Sequence, residues 1–185
     1  MSDFSTDFRR RLIDHLRGRA LRTDGPFTLR SGEVSDWYLD ARQTTFDGEG
    51  AALVGAVMAA EIGPGVDAVG GMTMGADPIS LATALIAAQS GRSLRAFSIR
   101  KQAKDHGTGG RLVGPVGSGD RVVILEDTTT TGGALVEALE VVMGEGLVVL
   151  EAIALIDRSG GRAAERVEAL GVPYRSILKP SDLGV

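Results

Sequence analysis

Cysteine is absent from this 185-residue chain. That removes disulfides and thiolate metal sites, and it fits a reducing compartment, so the cytoplasm is the expected location. Long hydrophobic runs are missing too. The longest uncharged stretch, Pro78 to Gly91, falls short of the ~20 apolar residues that span a bilayer, so no membrane insertion is expected. The opening MSDFSTDFRRRLIDHLRG sets Phe4, Phe8, Leu12 and Leu16 at helical spacing with charges between them. It reads as a surface helix rather than the apolar core of a signal peptide, with His15 a polar residue on it. Positive charge is not in excess. A formal net charge of -4 leaves nonspecific nucleic-acid binding without global support, so any attraction for an anionic substrate must be local. No glycine turn runs into GK and a hydroxyl residue, and no strand leads into GxGxxG, which excludes a Walker A loop and a dinucleotide fingerprint.

What is present suits one α/β domain over residues 1–185, large enough for a sizeable core. After the first helix, residues 26–42 read as short strands and a turn, rich in aromatics for a chain with only 4% of them. Together with the helix they form an N-terminal hood to about residue 45. Then come an Ala-rich helix from Gly50 to Ile62, a strand from Val66 to Gly70, a helix from Pro78 to Gln89 and a strand from Leu94 to Ile99. Residues 100–120 break every pattern. A loop that long in a compact domain is normally functional or disordered. The chain closes with the Val122 strand and its helix to about Met143, a strand from Leu147 to Ile156, a helix from Gly161 to Leu170 and a short strand near Tyr174.

The most informative segment runs from Val122 to Ala134, VVILEDTTTTGGA. A β-branched strand ends in the carboxylates Glu126 and Asp127, then passes through four threonines and two glycines into the helical pattern ALVEALEVVM. In α/β folds ligands sit outside the carboxyl ends of strands, and a Thr/Gly turn opening a helix offers N–H groups and hydroxyls to an anion. The carboxylates are poor neighbours for a bare phosphate. They call for hydroxyls, a cationic centre or a hydrated metal, and a ribose bearing a 5-phosphate on one side and a leaving group with Mg2+ on the other has all of these parts. A buried strand followed by a threonine helix cap is the plainer alternative.

The segment resembles the phosphoribosyl-diphosphate (PRPP) signature of the type I phosphoribosyltransferases. Three further segments are similar to the orotate phosphoribosyltransferase family. IRKQAKDHGTGGRLVG holds two of the chain's three lysines, Lys101 and Lys104, with His106, and resembles that family's mobile catalytic loop, here at about residues 100–118. Clustered cations among glycines suit a lid over pyrophosphate, although a solvated charged loop would look the same. FTLRSGEVSDWYLDAR is similar to the family's N-terminal substrate motif. Arg30 stands where lysine is usual, which changes the geometry of the charge. Tyr38 matches an aromatic position, and Leu39 falls where a second aromatic is common. Core packing is an equally simple role for Trp37. GGMTMGADPIS looks like the pyrophosphate-side loop, with Met74 where some members carry lysine; Asp77 and Pro78 would cap and open the next helix, as an ordinary βα turn would also have it. In ALIDRSGG, Arg158 either meets an anionic planar base or pairs with Asp157.

The resemblance implies a central, mostly parallel sheet flanked by helices, with the hood and mobile loop attached. It further implies transfer of ribose 5-phosphate from PRPP to orotate, giving orotidine 5-monophosphate and pyrophosphate. Lys104, Glu126 and Asp127 are the implied catalytic residues. PRPP would be held by Arg100, Lys101, Lys104, His106, Glu126, Asp127, Thr128, Thr129, Thr130, Thr131, Gly132, Gly133 and Ala134, and orotate by Arg30, Tyr38, Thr130 and Arg158. Mg2+ would be held mainly by substrate and water, near Asp127. A homodimer sharing loop residues across its interface is also implied. Another nucleobase as acceptor, or a nonenzymatic PRPP-sensing regulator, remains open at this level. The first should lose the FTLRSG and RKQAKDHG segments, and the second should show a DNA-binding addition or a basic face.

Overall fold

The structure is a computed structural model that describes residues 3–28, 34–103 and 110–185. Helical spacing in the opening segment yields α1 (Asp3–Arg19), whose Leu12 and Leu16 are fully buried. Four two-residue strands follow: β1 (Leu21–Arg22), β2 (Phe27–Thr28), β3 (Val34–Ser35) and β4 (Tyr38–Leu39). They pair antiparallel as β1 with β4 and β2 with β3, which builds the expected hood. A short α2 (Arg42–Thr45) leads to α3 (Gly48–Glu61), where Asp47 accepts the Glu49 and Gly50 amides at 3.0 Å each. His15 does more than decorate α1. Its Nδ1 lies 3.1 Å from Thr44 Oγ1 and its Nε2 3.1 Å from Asp47 Oδ1, tying α1 to the junction of α2 and α3.

The remaining elements are β5 (Ala68–Met72), α4 (Ala76–Gln89), β6 (Arg95–Ile99), β7 (Leu112–Val113), β8 (Arg121–Thr129), α5 (Gly133–Gly144), β9 (Val148–Asp157), α6 (Arg162–Glu168) and β10 (Tyr174–Leu178). Their sheet has the order β10-β9-β8-β5-β6-β7, parallel throughout except where β7 runs antiparallel to β6. Alternate residues of β8 face opposite sides, as strand geometry demands. Val123 and Leu125 join a core with Leu12, Met58 and Ile79. Val122 and Ile124 join a second core with Leu135, Leu139 and Val142. Thus α1, α3 and α4 cover one face and α5 the other. The mostly parallel α/β sheet with flanking helices is the architecture expected from the sequence.

Two boundaries differ from expectation for the same reason. Strand β5 is shifted toward its carboxyl end because Gly70, Gly71 and Met72 stay in register with Phe97, Ser98 and Ile99 of β6. Strand β8 likewise runs through the acidic pair and two threonines, pairing Glu126 with Ala154 and Thr129 with Asp157. Backbone pairing outlasts the apolar pattern. Helix α4 starts at Ala76, so Asp77 is not its cap; it lies in the first turn and its Oδ2 accepts Thr73 Oγ1 at 2.6 Å. Strand β7, two residues long, is too short to show a period and went unseen in the sequence.

Between β5 and β8 the sheet changes winding direction. Helix α4 carries the chain from β5 to β6 on one side, and α5 carries it from β8 to β9 on the other. A crevice opens at the carboxyl ends of adjacent strands where connections diverge in this way. The approach of β5 to β8 is close enough that a Cβ on Gly71 would collide with the Leu125 carbonyl oxygen and stand 2.8 Å from Ala76 Cβ. Backbone cannot step aside as a side chain can. Gly71→Ala is therefore expected to destabilise the protein by roughly 3 kcal/mol, the upper part of the range for overpacking, read from the shift in urea midpoint. A midpoint equal to wild type would mean that the two strands are not held at this spacing.

Candidate active site

The crevice holds a cleft of about 540 Å³ whose walls include Tyr38, Lys101, Glu126, Asp127, Thr128 and Ala134. Met74 and Gly75, from the turn between β5 and α4, form another side, and the Thr73–Met74 peptide there is cis. Gly75 makes room for the acid pair, because a Cβ there would lie 2.6 Å from Asp127 Oδ1. Six candidates from three separate segments thus surround one space, with the β5–α4 turn as a fourth wall.

Glu126 is only 8% exposed, and its Oε2 has no hydrogen-bond partner among the described residues. Desolvation, with the negative charge of Asp127 beside it, pushes its pKa up to about 8. Asp127 is also raised, first by burial; the Thr128 amide, donating to its Oδ1 at 2.7 Å, and the charge of Arg42 act in the opposite direction. A hydroxyl donor or a cationic centre in the cleft would relieve both carboxyls. Arg42 and Asp40, which also line the cleft, pair through Nε and Oδ1 at 2.7 Å. Sequence reasoning missed them, although their charges close the quoted substrate motif.

The four threonines divide by position. Thr128 lines the cleft, and its Oγ1 is buried without a partner among the described residues. Thr129 is buried and its Oγ1 accepts the Gly132 amide at 3.0 Å, holding the turn together. Thr130 and Thr131 are exposed, and the Thr131 hydroxyl accepts from Gly133 N at 3.4 Å. Gly132 has φ 76°, and a Cβ there would also stand 2.9 Å from Ala163 Cα. From α6, Arg162 donates to the Thr130 carbonyl at 3.2 Å and Arg166 to the Thr131 carbonyl at 3.0 Å. By peptide planarity, turning these carbonyls toward α6 turns the following N–H groups away from it. The two arginines were not foreseen; their only sequence signal is the i, i+4 spacing on one helix face.

Arg158 follows β9, its amide donating to the Thr129 carbonyl at 2.8 Å. Its guanidinium carbon lies 4.0 Å from the centre of the Trp37 ring. Burial lowers its pKa, and Nε has no partner among the described residues. The alternative pairing with Asp157 does not form, because Asp157 accepts the Ser159 amide at 2.6 Å and the Tyr174 hydroxyl at 2.9 Å. A cavity of about 440 Å³ adjoins Arg158, with Gly160, Gly161 and Lys179 around it. Trp37 packs against the main core as well. Tyr38 faces the larger cleft with its ring 5.9 Å from that of Phe27, while Leu39 is buried in the core.

The cationic segment is only partly described. Lys101 reaches the main cleft, whereas Arg100 borders a separate cavity with Leu112 and Glu145. At the foot of this segment Arg111 donates through Nε to the Arg100 carbonyl at 2.7 Å and pairs with Glu137 of α5. Lys104 and His106, like Arg30 of the hood, lie outside the described residues. Among the described residues no group of three or more His, Cys, Asp or Glu side chains could hold a metal ion by itself.

No family model matches the chain. The orotate phosphoribosyltransferase of Streptomyces avermitilis is 44% identical over 183 residues, 97% of this chain and 98% of its own. The structure of the Mycobacterium tuberculosis orotate phosphoribosyltransferase in complex with Fe(III) dicitrate is similar with a TM-score of 0.83 and 38% identity, covering 96% of this chain and 99% of its own. The same enzyme in complex with PRPP aligns with a TM-score of 0.79 and 34% identity, again over 96% and 99%. Identity at this level along nearly the whole length places the chain in the orotate phosphoribosyltransferase family.

Proposed function

We propose that this protein transfers ribose 5-phosphate from PRPP to orotate, releasing pyrophosphate and forming orotidine 5-monophosphate in the cytoplasmic synthesis of pyrimidines. The observation that carries this reading is the juxtaposition of Glu126 and Asp127 with Lys101 and Tyr38 in one cleft, next to the threonine loop. The loop from Thr128 to Ala134 takes the 5-phosphate on the N–H groups that its internal hydrogen bonds leave free and on the exposed Thr130 and Thr131 hydroxyls. Glu126 and Asp127 take the ribose hydroxyls. As the bond from ribose C1 to pyrophosphate oxygen breaks, the oxygen leaves with the electron pair and positive charge grows on the ribose beside the two carboxyls. Carboxylates fixed at that place stabilise the charge more than water could, having little reorganisation left to do. An orotate ring nitrogen forms the new bond to C1 and gives up its proton to a pyrophosphate oxygen or to water.

The leaving group needs cations, supplied by Lys101 and, as the family resemblance implies, by Arg100, Lys104 and His106. Orotate meets Arg158, Tyr38, Thr130 and Arg30. Of the four carboxyls lining the cleft, Asp40 and Glu137 are paired with Arg42 and Arg111, which leaves Glu126 and Asp127 with the Thr128 hydroxyl as hard oxygen donors, too few for a closed cage and suited to Mg2+ arriving with the diphosphate of PRPP and keeping several waters. Asp127, with Glu126, would hold it on the protein side. When bound, Mg2+ offsets charge on the departing pyrophosphate. A homodimer suits the exposed apolar side chains Phe46, Met74, Leu81 and Leu85, each more than half exposed. Phe46 and Met74 border one cavity, and Met74 also lines the cleft, so a second copy covering them would stand beside the site.

The direct test follows orotate consumption by ultraviolet absorbance with PRPP and Mg2+, with adenine, hypoxanthine, xanthine and uracil as competing bases. Orotate alone should be consumed, and a chelator should stop the reaction until Mg2+ is restored. Comparable turnover of another base, or full activity in chelator, would overturn the respective part of the proposal.

Asp127→Asn should lower kcat by roughly a hundredfold or more while leaving the melting temperature close to wild type, since an amide cannot balance a cationic ribose. Near-normal kcat/KM would reduce the acid pair to a structural feature.

If Lys104 serves the partner's site, Lys104→Ala and Asp127→Asn chains, each nearly inactive, should complement after subunit exchange. One site of the mixed dimer is then intact, so the heterodimer should reach about half the wild-type rate if sites act independently. Exchange verified by mass spectrometry without recovered activity would place Lys104 in its own subunit's site.

A further inference from the structure

We infer that Trp37 is a positioning residue for the base, setting the plane of the Arg158 guanidinium so that its donor edge is presented to a planar anion. This rests on the proposed role of Arg158 toward orotate. Arginine's N–H donors lie in the plane of the guanidinium, and its faces carry none. A guanidinium carbon 4.0 Å over the indole centre suits face-on stacking, which uses a face and leaves the edge available. Among the described residues nothing else holds the group in that attitude: Nε is buried without a partner, and Asp157 is committed to Ser159 and Tyr174.

The platform is itself fixed. Ser35 Oγ donates to the Trp37 carbonyl at 2.8 Å, and the ring packs against the main core. Core packing and substrate positioning are therefore two uses of one side chain rather than alternatives. The arrangement also joins the hood to the end of β9, two parts of the chain with no shared sheet. A loosely held arginine would have to be ordered by the substrate at each turnover. A stacked one is ordered beforehand, and the advantage should appear as affinity for the base.

The test separates the ring face from its bulk. Trp37→Phe keeps a π face, whereas Trp37→Leu fills much of the space without one; Trp37→Met is the substitute if the leucine variant does not fold. The leucine or methionine variant should raise the KM for orotate by roughly fivefold, the effect of losing a partly desolvated cation–π contact. The KM for PRPP should stay near wild type, and the phenylalanine variant should recover most of the loss. In an Arg158→Ala background, Trp37→Leu should add nothing, because the group it positions is gone. An unchanged orotate KM in Trp37→Leu, with Arg158→Ala impaired, would overturn the inference and leave the base pocket standing. Equal rises in both KM values, or a phenylalanine variant as impaired as leucine, would overturn it in favour of core packing alone. An Arg158→Ala enzyme with wild-type orotate KM would instead overturn the role of Arg158 itself.

Discussion

Where β5 lies against β8, there is no room for a methyl group. Gly71 faces the Leu125 carbonyl, and Gly75 faces the Asp127 carboxylate. This spacing brings the turn before α4, the acidic pair and the start of the threonine loop within reach of one small molecule. It also fixes where the site must be, because α4 and α5 leave their strands toward opposite faces and open the crevice between them. The pairing of β8 with β9 carries the consequence one strand further. Thr129 opposite Asp157 puts the threonine loop and Arg158 at the same level of the sheet.

The electrostatics of the site are local rather than global. A chain of net charge -4 places two carboxyls where burial disfavours their charge, and leaves a guanidinium stacked on an indole without an ion pair among the described residues. Neither arrangement is favourable for stability alone, since desolvated charge is costly until something complements it. Both fit a ligand that carries hydroxyls and incipient positive charge at one place and a planar anion at another. Lys101 and the two α6 arginines add cationic or donor groups around the same edge.

Much of this was legible in the sequence because it is encoded locally. The run from Val122 to Ala134 is continuous, and the apolar period, the acids and the glycines identify themselves without knowledge of the fold. Helix α1 was legible from Leu12 and Leu16 for the same reason. What was not legible depends on contacts between distant segments. His15 reads as a surface residue until Thr44 and Asp47 are brought to it. Arg111 reads as part of a charged loop until α5 supplies Glu137. The contact of Trp37 with Arg158 has no sequence signature, because it joins the hood to the sheet. Strand ends were misplaced at β5 and β8 because hydrogen-bonded pairing continues through glycines, acids and threonines that interrupt the hydrophobic pattern.

The short stretch from Arg158 to Arg166 touches both halves of the proposed chemistry. Its first residue stacks on Trp37, and Arg162 and Arg166 hold the carbonyls of the threonine loop. The two binding regions therefore share a mechanical element. In the proposed reaction an anion at Arg158 and a phosphate at the threonine loop would both bear on the start of α6, which Arg162 opens and which follows Arg158 by four residues. If each ligand orders that start, the entropic cost of the second would fall without any change of mean structure. Thermodynamic linkage makes the effect reciprocal: the factor by which one ligand raises the affinity of the other is returned unchanged when their order of binding is reversed.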